Sequence, residues 1–326
     1  MIGHKTVLIA ASAPQYAHGM VDPIEEIAAI TRDRGLPFHV DACFGGFLLP
    51  WLEELGYDIP TFDFRIPGVT SMSADVHKYG YAAKGASTVL YKDMSYLKHQ
   101  FFAQTEFPGG IYISPTMAGT RPGGAIAAAW ASMKALGRDG YTAMTDKAMQ
   151  TADELQERIA EMPALKILGS EHSTIVTYAS ADDRVDTFAI ADYLQQQGWS
   201  VDRQHRPASI HCTVNVHNAP VIDDYIDDLH DAIAEVRQNP DLANEGEAAM
   251  YGMMAKLPFR GAVEKSVLKV MEKMYEPGAV EPDLSEITGG EDSGMLLDLV
   301  DKYGGKILEM LDDVEQIGDL LKRLRP

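Results

Sequence analysis

Val7-Leu8-Ile9-Ala10-Ala11, the stretch Ile24–Arg34, and Leu36-Pro37-Phe38-His39-Val40 followed by Asp41 decide the fold between them. Five apolar residues in a row suit a strand buried on both faces, as a parallel sheet requires. Asp22 and Pro23 read as an N-cap with proline in the first helical position, and Gly35 closes the helix. A second apolar run follows at once. Strand, helix, strand is a βαβ unit, so the expected class is α/β with a mostly parallel sheet. Ligands of such sheets sit outside the carboxyl ends of the strands, where Asp41 falls.

Further along, Gly68–Ala74 reads as a strand, and Thr88–Tyr91 as its antiparallel neighbour. Between them lies the polar segment Asp75-Val76-His77-Lys78-Tyr79-Gly80-Tyr81. Residues 109–124 form a loop rich in Gly and Pro, and the alanine-rich Ala125–Leu136 is expected as a buried helix. Beyond about residue 150 the pattern changes. Ala148–Met162 is amphipathic, His172–Tyr178 alternates as a strand, Val185–Gly198 is helical, His211–Val216 is a strand and Val221–Gln238 a helix. The organisation expected is a large domain over 1–150, a small α+β domain over 151–245 and an acidic helical extension over 246–326. Within that extension Glu245–Met274 and Leu284–Pro326 have helical spacing.

Composition narrows the function. Of 326 residues, 28 are Lys or Arg and 48 Asp or Glu, a formal charge of −20. Nucleic-acid binding and adhesion to anionic lipid both need the opposite sign, so neither partner is expected. The apolar runs are too short for a membrane span. Cys43 and Cys212 are too few for a disulfide framework or a cysteine zinc site, and no metal is expected. Two free thiols suit a reducing, cytoplasmic compartment. His205, His211 and His217 lack the spacing of a helical metal pair and read as structural or solvated.

Asp41 and Lys78 each follow a strand on the same sheet edge. A lysine that can form a Schiff base and an aspartate that keeps a pyridine nitrogen protonated are the pair that pyridoxal phosphate chemistry needs. The wording around them carries a resemblance. His39-Val40-Asp41-Ala42-Cys43-Phe44-Gly45-Gly46 and Ser73-Ala74-Asp75-Val76-His77-Lys78-Tyr79-Gly80-Tyr81 resemble the two signatures of the group II pyridoxal-phosphate-dependent decarboxylase family. Ser12-Ala13-Pro14, Tyr16, His18-Gly19, Lys84-Gly85, Gly109-Gly110-Ile111-Tyr112 and Thr120-Arg121-Pro122-Gly123-Gly124 more narrowly resemble its sphingosine-1-phosphate lyase branch. The likeness runs over roughly residues 1–260.

That resemblance implies a fold-type I pyridoxal-phosphate enzyme, its large domain present in part. It implies Lys78 as the attachment point, Asp41 as the pyridinium partner, Ala42 with its methyl on the ring face, and His77 helping to hold the cofactor phosphate. Cys43 reads as a packed thiol under the cofactor. Lys84 and Thr120 take the places that bind the substrate phosphate in the lyase branch, where serine is usual at the second; the hydroxyl donor is kept. Ser12, Tyr16 and His18 lie on a loop near the site. The implied reaction is retro-aldol cleavage of a phosphorylated sphingoid base to a long-chain aldehyde and phosphoethanolamine.

Two alternatives stay open: an amino-acid decarboxylase, or a non-catalytic fragment that assembles with a full-length subunit. Relatives carry an upstream Gly-Gly-Thr-Glu-Ser-like phosphate loop and a ring-stacking histidine that this sequence lacks. The chain is therefore expected to be N-terminally incomplete, to bind the cofactor weakly by itself, and to act as a homodimer or with a complementary N-terminal portion.

Overall fold

The computed structural model describes residues 2–169 and 173–256, with a few isolated positions between 268 and 277. Residues up to Lys256 form one compact unit. Most of the helical pattern expected past that point, including all of Leu284–Pro326, lies outside the described residues.

The first sheet runs β1 (Ile9–Ser12), β2 (Phe38–Asp41), β3 (Ser71–Ala74) and β4 (Thr88–Tyr91) in that spatial order. β1 and β3 are parallel to β2, with Ser12 opposite Asp41 and Asp41 opposite Ser73. β4 closes the far edge antiparallel to β3. α1 (Ile24–Asp33) makes the crossover from β1, and α2 (Leu49–Glu54) follows β2. Phe38, Val40, Leu48, Leu49, Leu52 and Phe62 fill the core beneath. This is the α/β arrangement the βαβ pattern calls for. Among the described residues no helix is long and apolar enough to cross a membrane.

Several local expectations fail for physical reasons. Val7 and Leu8 are exposed, because β1 is an edge strand whose pairing starts only at Ile9. Asp22 does not cap α1: its carboxylate accepts from the Ser12 amide at 2.7 Å, tying the chain to the exit of β1 instead. The segment 109–124 is not all loop, since β5 (Phe102–Gln104) and β6 (Tyr112–Ser114) form a hairpin after the short α3 (Met94–Leu97).

The long α4 (Gly123–Ala160) breaks at Gly137, whose φ of +58° interrupts the helical geometry. Its first half is mostly exposed rather than buried: only Ala129 is fully covered there, while Ile126 and Trp130 face outward. Past the break, Met149 sits in the first core and Ala152 and Leu155 in a second. That second core lies under a sheet of β7 (Leu165–Leu168), β8 (Ile175–Ser180), β10 (Ala208–Thr213) and β9 (Asp202–His205), all antiparallel. α5 (Thr187–Gln196) and α6 (Ile222–Gln238) supply its helical layer, and α7 (Gly246–Lys256) follows. β8 is buried on both faces. Val176 and Tyr178 join the helical core, Ile175 belongs to the first core, and Thr177 donates to the carbonyl of Ala17.

The close approach of strand ends rests on two glycines. A Cβ at Gly45 would overlap the Ala13 carbonyl oxygen and lie 2.7 Å from Pro14, and one at Gly46 would come within 2.5 Å of Ala74 Cβ. Gly45 thus admits the loop after β1 and Gly46 the end of β3. Gly45→Ala is therefore expected to cost about 1–3 kcal/mol, the range for overpacking a filled core. Urea unfolding of the variant beside the parent measures it; superimposable curves would mean that the loop yields freely.

Candidate active site

Asp41, the last residue of β2, and Lys78, in the turn after β3, meet at one residue, Cys43. Asp41 Oδ1 accepts from the Cys43 amide at 3.0 Å, and Lys78 Nζ donates to Cys43 Sγ at 2.9 Å. Asp41 Oδ1 also accepts from the Ser73 hydroxyl at 2.8 Å, a contact set by the strand register that places Ser73 opposite Asp41. Burial pushes the Asp41 carboxyl up, yet the Cys43 and Ser73 hydrogen bonds outweigh it and hold the group below its ordinary value. The site keeps a fixed anion at neutral pH.

Lys78 is parked by its neighbours. Besides Cys43 it contacts Asp75 Oδ2 at 3.0 Å, and these contacts raise its amine above the ordinary value although burial pulls the other way. Burial pushes the Cys43 thiol up; Asp41 adds to that and Lys78 opposes it. The turn bearing Lys78 is pinned on both sides. The buried Tyr79 pairs its hydroxyl with Thr174 Oγ1 at 2.5 Å and with the Val214 carbonyl. Tyr141 donates to the Gly80 carbonyl at 2.8 Å.

The other expected residues divide. Ala42 is fully buried in the first core and has no surface to offer a ring; the chain turns after β2, so Cys43 faces Lys78 in its place. His77 Nδ1 meets the Ala86 carbonyl at 2.9 Å and its Nε2 lies 3.7 Å from Asp75. Both ring nitrogens thus face protein acceptors, not an open phosphate cradle. Lys84 and Thr120 are exposed, and among the described residues neither has a polar partner. They stand on adjoining segments, for a Cβ on Gly85 would lie 3.2 Å from Ala125 in the first turn of α4. On the loop after β1, Tyr16 donates to Asp202 Oδ2 at 3.2 Å and its ring lies 4.3 Å from that of His211. Burial and Asp202 raise its phenol, which leaves it a donor at neutral pH. His211 Nδ1 meets the Ala17 carbonyl at 3.3 Å and its Nε2 meets Thr213 Oγ1 at 2.9 Å.

Asp75 and Ser73 are the residues that sequence reasoning passed over. The signal for Ser73 was its place across from Asp41 in the parallel register, and for Asp75 its position three before Lys78.

An ionised carboxylate and an amine flanking one small side chain suit a heteroaromatic aldehyde whose ring nitrogen is kept protonated. On that test Asp41, Cys43 and Lys78 fit pyridoxal phosphate. The fold and site together define the α/β class of pyridoxal-phosphate enzymes.

Residues 3–180 match the pyridoxal-dependent decarboxylase conserved domain, and the chain belongs to that family. It is 44% identical over 274 residues to the sphingosine-1-phosphate lyase of Arabidopsis thaliana, covering 84% of this chain and 50% of that protein. A solved sphingosine-1-phosphate lyase from Burkholderia pseudomallei superposes with a TM-score of 0.70 at 39% identity, covering 73% of this chain and 54% of that one. Glutamate decarboxylase of Lactobacillus brevis shares the fold, with a TM-score of 0.62 at 24% identity over 71% of this chain and 55% of that one. The chain spans about half the length of the curated relatives it matches.

The Asp41 network makes a pH prediction. A carboxyl held below its unfolded value adds stability that is complete above the unfolded value, about 4, and is lost as pH falls through the folded one. Ser73→Ala removes one of the two hydrogen bonds, so the Asp41 carboxyl should titrate at higher pH than in the parent. Carbon-detected NMR titration of Asp41 checks this, and an unmoved midpoint would deny Ser73 its part.

Proposed function

We propose that this chain carries the lysine-bearing part of a pyridoxal-phosphate-dependent carbon–carbon lyase acting on phosphorylated sphingoid bases, with a long-chain aldehyde and phosphoethanolamine as products. The observation that carries the reading is the Asp41–Cys43–Lys78 contact set, in a chain that resembles sphingosine-1-phosphate lyases along most of its length. Pyridoxal phosphate, when bound, supplies an aldehyde for attachment and a ring that accepts the electrons of the breaking bond. Asp41 would keep the ring nitrogen protonated, Cys43 would sit between the two polar groups, and Lys78 would be the attachment point. Tyr16 stands on the loop after β1 at the edge of the site, its hydroxyl donating to Asp202.

Lys84 and Thr120 make the substrate phosphate site of this reading. An acidic protein binds a phosphomonoester through a local cation and hydroxyls, and Lys84 is an exposed point charge beside the first turn of α4. We also take the chain to work in the cytoplasm as a homodimer, with residues 1–150 serving the cofactor and 151–245 forming the small domain. The free thiols Cys43 and Cys212 support the first point. For the second, the β5–β6 hairpin and the first half of α4 expose Phe102, Ile111, Ile113, Ile126 and Trp130, apolar surface of the sort a second copy covers.

The test supplies the chain with pyridoxal phosphate and with the complementary N-terminal portion of a relative, and follows aldehyde release from a phosphorylated sphingoid base and its dephosphorylated form. Lys84→Ala should narrow the preference for the phosphorylated substrate by about ten- to a hundredfold, the scale of one charge-assisted contact. An unchanged ratio, with carbon dioxide released from a carboxylated amine, would favour an amino-acid decarboxylase. Cofactor capture without either product would favour the assembly partner.

A further inference from the structure

Lys78 is held by a carboxylate that is itself held. Asp75 Oδ2 lies 3.0 Å from Lys78 Nζ and 3.7 Å from His77 Nε2, while the Ser87 hydroxyl donates to Oδ1. The Asp75 side chain is only 15% exposed. With its other oxygen held by the Ser87 hydroxyl, the carboxylate is turned toward Lys78 from within the same turn. The groups facing Lys78 come from three segments. Asp75 and His77 belong to its own turn, Cys43 to the segment after β2 with Asp41 behind it, and Tyr16 to the loop after β1. Of these, Asp75 is the one carboxylate in contact with the amine.

An amine adds to an aldehyde only as the neutral base, and an anion at 3 Å favours the ammonium. We propose that Asp75 is the positioning residue of Lys78: it parks the side chain as an ammonium against Cys43 and restrains its reaction with an aldehyde until the proton leaves. The biological sense of this rests on reading Lys78 as the attachment point, but the ion pair can be tested without the cofactor. Asp75 acts through Lys78 and is placed in contact with no substrate atom.

The experiment is trace reductive methylation of the full chain with formaldehyde and cyanoborohydride across an alkaline pH series, the Lys78 peptide being quantified by mass spectrometry. Asp75→Asn, which keeps the size and loses the charge, should move the midpoint of Lys78 labelling down by about one pH unit. Below both midpoints that is about tenfold faster labelling. Lys84 labelling should be the same in both proteins, and Asp75→Glu should restore the parent profile. An unmoved Lys78 midpoint in a folded Asp75→Asn protein overturns the proposal. Should that variant not fold, the parent decides: a Lys78 midpoint above that of a lysine model peptide supports the pairing, and one at or below it overturns it. Capture of pyridoxal phosphate by Lys78 is a separate measurement, so failure of the cofactor reading cannot be mistaken for failure of the ion pair.

Discussion

Three segments leaving β1, β2 and β3 must pass within van der Waals distance of one another at the same edge of the sheet. Gly45 lets the Ala13 carbonyl and Pro14 approach, and Gly46 lets Ala74 approach. With side chains at either position those ends would separate, and the groups they carry would separate with them. Tyr16 arrives on the first segment, Asp41 and Cys43 on the second, Asp75 and Lys78 on the third. The chemistry at this edge is thus a consequence of backbone packing. The second sheet completes it from the other side, with Thr174 and the Val214 carbonyl gripping Tyr79 next to Lys78.

In a chain of net charge −20 the site balances its charges locally. Asp41 stays ionised because an amide and a hydroxyl point at it, which offsets the cost of burial. Lys78 stays charged because a carboxylate and a thiol point at it. The two side chains are kept from pairing with each other, each engaging Cys43 through a different atom. An aldehyde with a basic ring nitrogen can then meet a partner at each end.

The βαβ core, and the placing of Asp41 and Lys78 each just after a strand of the first sheet, were legible in the sequence because both depend on short-range pattern: apolar runs, a helix between them, and polar residues where the runs stop. The antiparallel β4 was legible for the same reason. Burial was less so. Ala125–Leu136 has the composition of a buried helix, and composition does not say whether the covering surface belongs to the same chain. β9, Asp-Arg-Gln-His, carries no apolar signal and is a strand only because β10 pairs with it. The resemblance puts the Ala42 methyl on a ring face, but the chain turns as soon as Asp41 is passed, with the Ala42 amide donating to the Val40 carbonyl at 3.1 Å and the side chain buried in the first core.

On the proposed function, Lys78, which shares Cys43 with Asp41, is the amine that takes up the cofactor. The measurement is to add pyridoxal phosphate to the chain together with a complementary N-terminal portion, reduce with borohydride and map the modified peptide. A single pyridoxyl adduct on Lys78, abolished by Lys78→Arg, is the expected result. An adduct confined to Lys84 or Lys92, or one that survives loss of Lys78, would contradict it.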